Sequence, residues 1–148
     1  MGLDAANDVR FDYVGSLQLA RRLWALGDQV DELMSNRIGH AQTALTDWLG
    51  AYGTQFAERI DSESMQTAAI AGELRFAAEQ WAVRWAEAMN EQNSINHARE
   101  IKRVEGDRNV LDEVSGFFFG HDDLPTSPLT IGIPAAPNFY ATGTLTRY

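Results

Sequence analysis

Cysteine is absent from the 148 residues of this sequence. A disulfide framework, a thiolate nucleophile and a thiolate metal site are therefore excluded. Proline is scarce: all four prolines lie between Pro125 and Pro137, so none interrupts a helix in the first 124 residues. The chain accordingly divides into a long part that is compatible with helix and a short tail that contains proline.

Basic charge is also low. Twelve Lys and Arg residues stand against 21 Asp and Glu residues, and the formal net charge is −9. Because binding to a phosphate backbone needs clustered Lys and Arg, we expect no nucleic-acid partner. No apolar run approaches the roughly 18 residues of a membrane-spanning helix, and the polar, acid-containing first ten residues are unlike a secretory signal peptide.

Two long amphipathic patterns dominate the chain. The first begins at Ser16, and its apolar residues recur in steps of three and four as far as Trp48. The second runs from Gly53 to about Glu105 and is rich in Ala, Glu, Gln and Arg, which favour helix. Gly106 is its expected end. The sequence therefore predicts an all-α chain built on an antiparallel two-helix hairpin.

The patterns predict four segments. They are an N-terminal arm over residues 1–15, the hairpin over 16–105, a short amphipathic helix over 107–120 and an extended tail over 121–148. Within the second helix the pattern turns polar between Asn90 and Asn96, where we expect a kink or a loose turn. The tail is predicted to dock as an extended strap through Ile131, Ile133, Phe139 and Tyr140, and a flexible end is the alternative.

The joint between the two helical patterns contains the tripeptide Trp48-Leu49-Gly50. The chain must reverse its direction there within a few residues, and glycine adopts the required backbone conformations at low cost. We therefore assign the hairpin turn to Trp48, Gly50 and Gly53.

This arrangement resembles the WxG helical-hairpin family of type VII secretion, the small substrates of the early secreted antigenic target type found in actinobacteria and firmicutes. The resemblance covers roughly residues 17–103, with the motif at Trp48-Leu49-Gly50. It implies that Trp48 packs at the hairpin end against a groove formed with a partner. It also implies a four-helix bundle completed by dimerisation, and a role as a secretion substrate or as the escort of one.

The family's export signal is a tyrosine followed four residues later by an acid. None of the four tyrosines here has an acid at that spacing, so export as the passenger of a signal-bearing partner stays open beside self-directed export. We expect the protein either to be secreted by a type VII-like route or to be cytoplasmic.

The second helical pattern is longer than the first, so part of it is expected to lack a neighbour within the chain. We predict that this part binds a helical protein partner, which is either a second copy of the chain or another protein. The predicted interface consists of Trp48, Leu74, Trp81, Trp85 and Met89. Packing of these side chains within the chain is the alternative.

Nothing in the sequence indicates catalysis or a cofactor. His97 with Glu100 supplies fewer ligands than the three or four protein ligands that zinc usually takes. His121-Asp122-Asp123 is interpreted as the end of the short third helix. We therefore expect a binding protein without metal or cofactor, not an enzyme.

A second hypothesis explains the same patterns. The chain would be a cytoplasmic helical adaptor, or a structural subunit of a larger assembly, that is never exported and that uses its tail for docking. Neighbouring genes distinguish the two hypotheses, because a secretion ATPase nearby favours export and capsid or tail genes favour a structural subunit.

Overall fold

A computed structural model describes residues 2–111 and 126–147 of the chain. These residues contain a short 3-10 turn at Leu3–Ala5 and two long helices, α1 at Tyr13–Leu45 and α2 at Ala51–Leu111. No strand occurs in the described part of the chain. The predicted class, an all-α chain with two long helices in contact, is confirmed.

Helix α1 begins one turn earlier than the sequence pattern predicts. Its first residue is Tyr13, whereas Ser16, where the sequence pattern begins and where serine would be a favourable N-cap, lies inside the helix and is buried. Asp12 stands directly before the helix, and aspartate is as favourable as serine at an N-cap. The apolar period does not distinguish a start at Tyr13 from a start at Ser16, because serine is also a favourable N-cap residue.

Helix α2 continues past the predicted end at Gly106 and runs to Leu111. A glycine in a helix interior costs about 1 kcal/mol relative to alanine. The Arg103 side chain bonds to Glu100 at 2.5 Å and to Asp107 at 3.1 Å, so one ion pair precedes the glycine on the helix surface and the other spans it. Such pairs contribute roughly 0.2–0.5 kcal/mol each and offset part of that cost. The helix therefore does not stop at Gly106.

The predicted third helix over 107–120 is consequently wrong at its start, since residues 107–111 belong to α2. The rest of that segment, including the predicted helix end at His121, lies outside the described residues. The predicted loose turn between Asn90 and Asn96 is wrong, because α2 is helical throughout that stretch.

The chain forms two compact units, and their boundary falls inside α2. One unit comprises residues 14–82 and 135–140, and the other comprises residues 1–13, 83–134 and 141–148. This division differs from the predicted segments, since the predicted hairpin is split and the tail contributes to both units.

The first unit is the hairpin of α1 and the first half of α2. The two helices run antiparallel, because late residues of α1 meet early residues of α2: Arg37 pairs with Glu63 at 2.7 Å, and Asp28 pairs with Arg75 at 2.7 Å. Their apolar stripes meet in a core that contains Met34, Ala41, Ile60, Ile38 and Phe56. The positions at fourfold and threefold steps from Met34 through Ile38 to Ala41 therefore face the neighbouring helix.

The second unit is built on the other half of α2. The N-terminal arm and parts of the tail bond to this half through side chains between Asn90 and Lys102. In this unit the polar side chains of α2 therefore bind other segments of the same chain, whereas apolar packing dominates the hairpin core.

Candidate interaction surfaces

The hairpin joint consists of the five residues between the two helices. The backbone N–H groups of Thr46 and Asp47 donate to the carbonyls of Thr43 and Ala44, which continues α1 as a turn. Gly50 then adopts a φ of +97°, in the region that favours glycine because a β-carbon would clash. A single residue thus supplies the left-handed conformation that the reversal requires.

Gly53 acts differently from the prediction, because it lies in the first turn of α2 and not in the connection. It is buried, and a β-carbon built there would stand 2.3 Å from the carbonyl oxygen of Trp48. Real β-carbons do not come that close to an oxygen. The Trp48 backbone is therefore packed directly on the start of α2, and any larger residue at position 53 would displace it.

The Trp48 side chain lies at the end of the hairpin and is 51% exposed. Its ring packs against Phe56 with 5.4 Å between centroids and an interplanar angle of 55°. Leu49 and Tyr52 are exposed beside it in the sequence, at 85% and 77%. We call Trp48, Leu49 and Tyr52 the tip cluster. Adjacent large apolar side chains left in water are typical of a protein interaction site.

One side of the hairpin is covered by the tail. Phe139 is fully buried, and its ring packs edge-on against Trp24 with 5.8 Å between centroids. The guanidinium of Arg75 lies 5.8 Å from the centroid of the same Trp24 ring, and Arg21 donates to the carbonyls of Asn138 and Phe139. Residues 135–140 therefore close the side of the hairpin that carries Trp24 and Arg75.

Two asparagines of α2 bind the tail in the second unit. The side-chain amide of Asn90 donates to the carbonyl of Ile131 at 3.0 Å and accepts the N–H of the same residue at 2.7 Å. Asn93 is fully buried, donates to the Leu129 carbonyl and accepts from the Thr146 N–H at 3.0 Å.

Asn96 completes this arrangement by donating to the Thr146 carbonyl at 2.9 Å. We call Asn90, Asn93 and Asn96 the asparagine ladder. Their spacing of three places them along one side of α2, where each amide replaces the partner that a strand would otherwise give to the tail backbone. The polar run that predicted a kink is therefore a binding surface for the tail.

The N-terminal arm is held along the same half of α2. Gln92 accepts the N–H of Val9 at 2.7 Å and donates to the carboxylate of Asp8 at 3.0 Å. Arg99 binds the same carboxylate at 2.6 Å. The pKa of Asp8 lies below its usual value, chiefly because of the Gln92 hydrogen bond and then because of Arg99. The arm therefore binds best when this carboxylate is ionised.

The five residues of the predicted partner interface differ in their exposure. Trp48 is exposed, and Leu74 and Trp81 are half-buried. Trp85 and Met89 are only 2% and 3% exposed within the single chain, so the prediction that they face a partner is wrong. The prediction assumed that this half of α2 lacks an intrachain neighbour, but the arm and the tail share its unit.

The predicted docking residues of the tail divide into two pairs. Ile131 and Phe139 are buried, whereas Ile133 and Tyr140 are 57% and 71% exposed, so the latter two do not dock on the described part of the chain. The asparagine ladder had a sequence signal, since Asn is unfavourable in a helix interior and recurs here every third residue.

A metal site would need several ligands close together. The described residues contain no group of three or more His, Asp or Glu side chains that could hold a metal ion. Glu100, which the sequence places near His97, accepts two hydrogen bonds from Arg103, and these hold its pKa below the usual value. Among the described helices, none is long and apolar enough to cross a membrane.

Comparison with protein-family models, with curated proteins and with solved structures finds no match. The surfaces of this chain that can indicate its function are the tip cluster, the sides of the hairpin and the exposed side chains of the tail.

Proposed function

We propose that this chain is a binding protein, a helical hairpin of the WxG type that serves as a type VII secretion substrate or as the escort of one. The observation that carries the proposal is the exposed Trp48 side chain at the joint of two long antiparallel helices. The family resemblance of the sequence supports it at the same residues.

The geometry of the joint favours the binding of a partner protein by Trp48. A tryptophan offers a large, rigid contact area at a low cost in conformational entropy. The positive φ of Gly50 and the close approach at Gly53 hold the Trp48 backbone in one place, so little further ordering is needed when a partner binds. Because about half of the side chain is exposed, the fold itself gains less from Trp48 than a core tryptophan would contribute.

Export can be tested with the tagged full chain in an actinobacterial host. We expect the chain in the culture filtrate when the type VII membrane ATPase is intact and not when it is deleted. Trp48→Ala is expected to lower the filtrate signal several-fold while leaving the cellular level unchanged. Phe76→Ala, which removes an aromatic side chain that is 57% exposed on α2 away from the joint, is the matched control.

Equal filtrate signals with and without the ATPase, or no signal in either host, would contradict the secretion proposal. A chain that stays inside both hosts would favour the second candidate, a helical adaptor or structural subunit that is not exported. The exposed tail side chains of Ile133 and Tyr140 favour that candidate specifically, because a tail bound by its backbone displays them as a docking element.

A further inference from the structure

Phe139 anchors the tip of the tail, and its backbone is strained. Its φ of +44° lies in the left-handed region, and no other non-glycine residue in the described part of the chain has a positive φ. A bulky L-residue adopts this conformation only where surrounding contacts hold it, because its β-carbon is crowded by the neighbouring carbonyl. The Phe139 N–H donates to the Ala135 carbonyl at 2.9 Å, and the side chain is fully buried. The contacts of the ring therefore offset a cost in the tail backbone.

The two helices of the hairpin build the receptor for this ring. Trp24 of α1 packs edge-on against Phe139 with 5.8 Å between centroids, and the Arg75 guanidinium of α2 lies 5.8 Å from the centroid of the Trp24 ring. Asp28 and Asp31 bind that guanidinium at 2.7 Å and 2.6 Å. The relative positions of Trp24 and Arg75 therefore depend on contacts between α1 and α2.

Gly27 brings the two helices close together beside Arg75. A β-carbon at this position would lie 3.2 Å from the Ala71 carbonyl oxygen and 3.2 Å from the Cγ atom of Arg75. Most real β-carbons do not come so close to another atom, so the absence of a side chain at Gly27 permits this approach. The packing restricts the stem of Arg75, and the receptor is thereby preorganised for a ligand.

Arg21 recognises the backbone beside the ring. Its guanidinium donates to the carbonyl of Asn138 at 3.3 Å and to the carbonyl of Phe139 at 3.1 Å. The side chains on both sides of Phe139, those of Asn138 and Tyr140, are exposed. We call Arg21, Trp24 and Arg75 the aromatic site. These contacts select one aromatic ring and two consecutive carbonyls, which any peptide with an aromatic residue can supply.

We propose that the aromatic site binds an aromatic residue of a partner protein's peptide segment, and that residues 135–140 of the tail are its internal competitor. The partner residue presents its own carbonyl and the preceding carbonyl to Arg21, as Phe139 does. A partner that places its ring without a left-handed backbone avoids the strain that the tail carries. The site does not include Trp48, so it goes beyond the function proposed for the joint.

The charges at the site favour an uncharged partner segment. Arg21 and Arg75 carry two positive charges, and Asp28 and Asp31, which pair with Arg75, carry two negative charges. The four charges cancel, and residues 135–140 of the tail contain no charged side chain. A partner segment of either sign gains no net attraction from these four groups, so the ring and the carbonyls decide its affinity.

Release of the tip does not require release of the whole tail. The asparagine ladder binds Ile131 before the tip and Thr146 after it. Both of these residues belong to the second unit, whereas residues 135–140 belong to the unit that contains the hairpin. A partner therefore has to displace only the short segment that carries Phe139.

N-acetyl-phenylalaninamide is a minimal ligand for this site, because it carries one phenyl ring between two carbonyls. We expect it to bind the full-length Phe139→Ala chain, whose own ring no longer fills the site, and to shift the NMR signal of the Trp24 indole N–H. The wild-type chain is expected to bind at least tenfold more weakly, because Phe139 competes. Tyr140→Ala removes the exposed neighbouring ring and is the matched control, which is expected to bind as the wild type does.

A second pair of variants tests the carbonyl contacts. Arg21→Ala, added to the Phe139→Ala chain, is expected to weaken binding at least threefold. Arg22→Ala, at the exposed next position, is its control and is expected to leave the affinity unchanged. The peptide Gly-Gly-Phe-Gly-Gly is expected to bind at least as tightly as the single-residue ligand. If only the single-residue ligand binds, the site accepts small aromatic molecules and the peptide proposal is wrong.

Hydrogen exchange in the wild-type chain gives a measurement that does not depend on the folding of a variant. Millimolar N-acetyl-phenylalaninamide is expected to accelerate exchange at the Phe139 N–H at least threefold, while the Thr146 N–H, which donates to Asn93, keeps its rate. N-acetyl-alaninamide, which lacks the ring, is expected to change neither rate. Unchanged Phe139 exchange, or a folded Phe139→Ala chain whose Trp24 signal does not shift, would overturn the proposal.

Discussion

Replacing Asn93 by alanine tests whether the asparagine ladder holds the tail. The fully buried amide donates to the Leu129 carbonyl and accepts from both the N–H and the hydroxyl of Thr146. Each hydrogen bond contributes about 1 kcal/mol net, so the loss of three predicts a decrease of about 3 kcal/mol in the free energy of unfolding. For a chain of this size, this decrease lowers the Tm by about 6–12 °C.

Two assays report this effect. Urea denaturation gives the change in stability, and hydrogen exchange at the Thr146 N–H, which donates to Asn93, reports local release of the tail. Asn36→Ala, which removes the same side chain from an exposed site on α1, is the control and is expected to change stability by less than about 0.5 kcal/mol. A loss below about 1 kcal/mol with unchanged Thr146 exchange would refute the assignment of the ladder as the tail's anchor.

The remaining predictions concern the joint and the arm. Gly53→Ala places a β-carbon 2.3 Å from the Trp48 carbonyl and is expected to destabilise the fold by at least about 1 kcal/mol in thermal denaturation. Gly72→Ala, in open space on α2, is its control and is expected to stabilise by up to about 1 kcal/mol; equal effects would contradict the close approach. Asp4 has a pKa below its usual value because Lys102 bonds to it, so its contribution is present above the unfolded aspartate pKa of about 3.9 and is lost as the pH falls through the lower folded value. Amide exchange in the arm should therefore rise in acid for the wild type, and an Asp4→Asn variant that keeps the same acid response would contradict this.

Local features of the sequence are sufficient to predict the two long helices. The steps of four and three from Met34 to Ala41 specify an apolar stripe before any partner is known, because the helical repeat alone places those side chains together. The sequence also predicts the position of the joint, because Gly50, a predicted turn residue, is the only residue between the two helices with a positive φ. Both inferences depend on neighbours within a few positions along the chain.

Which surfaces of the helices are exposed depends on contacts between residues that are far apart in the sequence. The stretch from Asn90 to Asn96 predicts a kink or a loose turn because Asn disfavours helix locally, yet these amides bind backbone groups about 40 and 50 residues away. Burial of Trp85 and Met89 likewise could not be inferred from their own helix.

The sequence by itself determined the helical class, the place of the chain reversal and the apolar stripe that pairs α1 with α2, because periodicity and glycine conformation are local properties. Only the tertiary structure decided that α2 continues through its polar run and past Gly106 and that the tail buries Phe139 while exposing Tyr140. It also decided that the tail covers one side of the hairpin. The physical reason is that burial depends on which distant segment packs on a surface, and a local sequence pattern does not specify that contact.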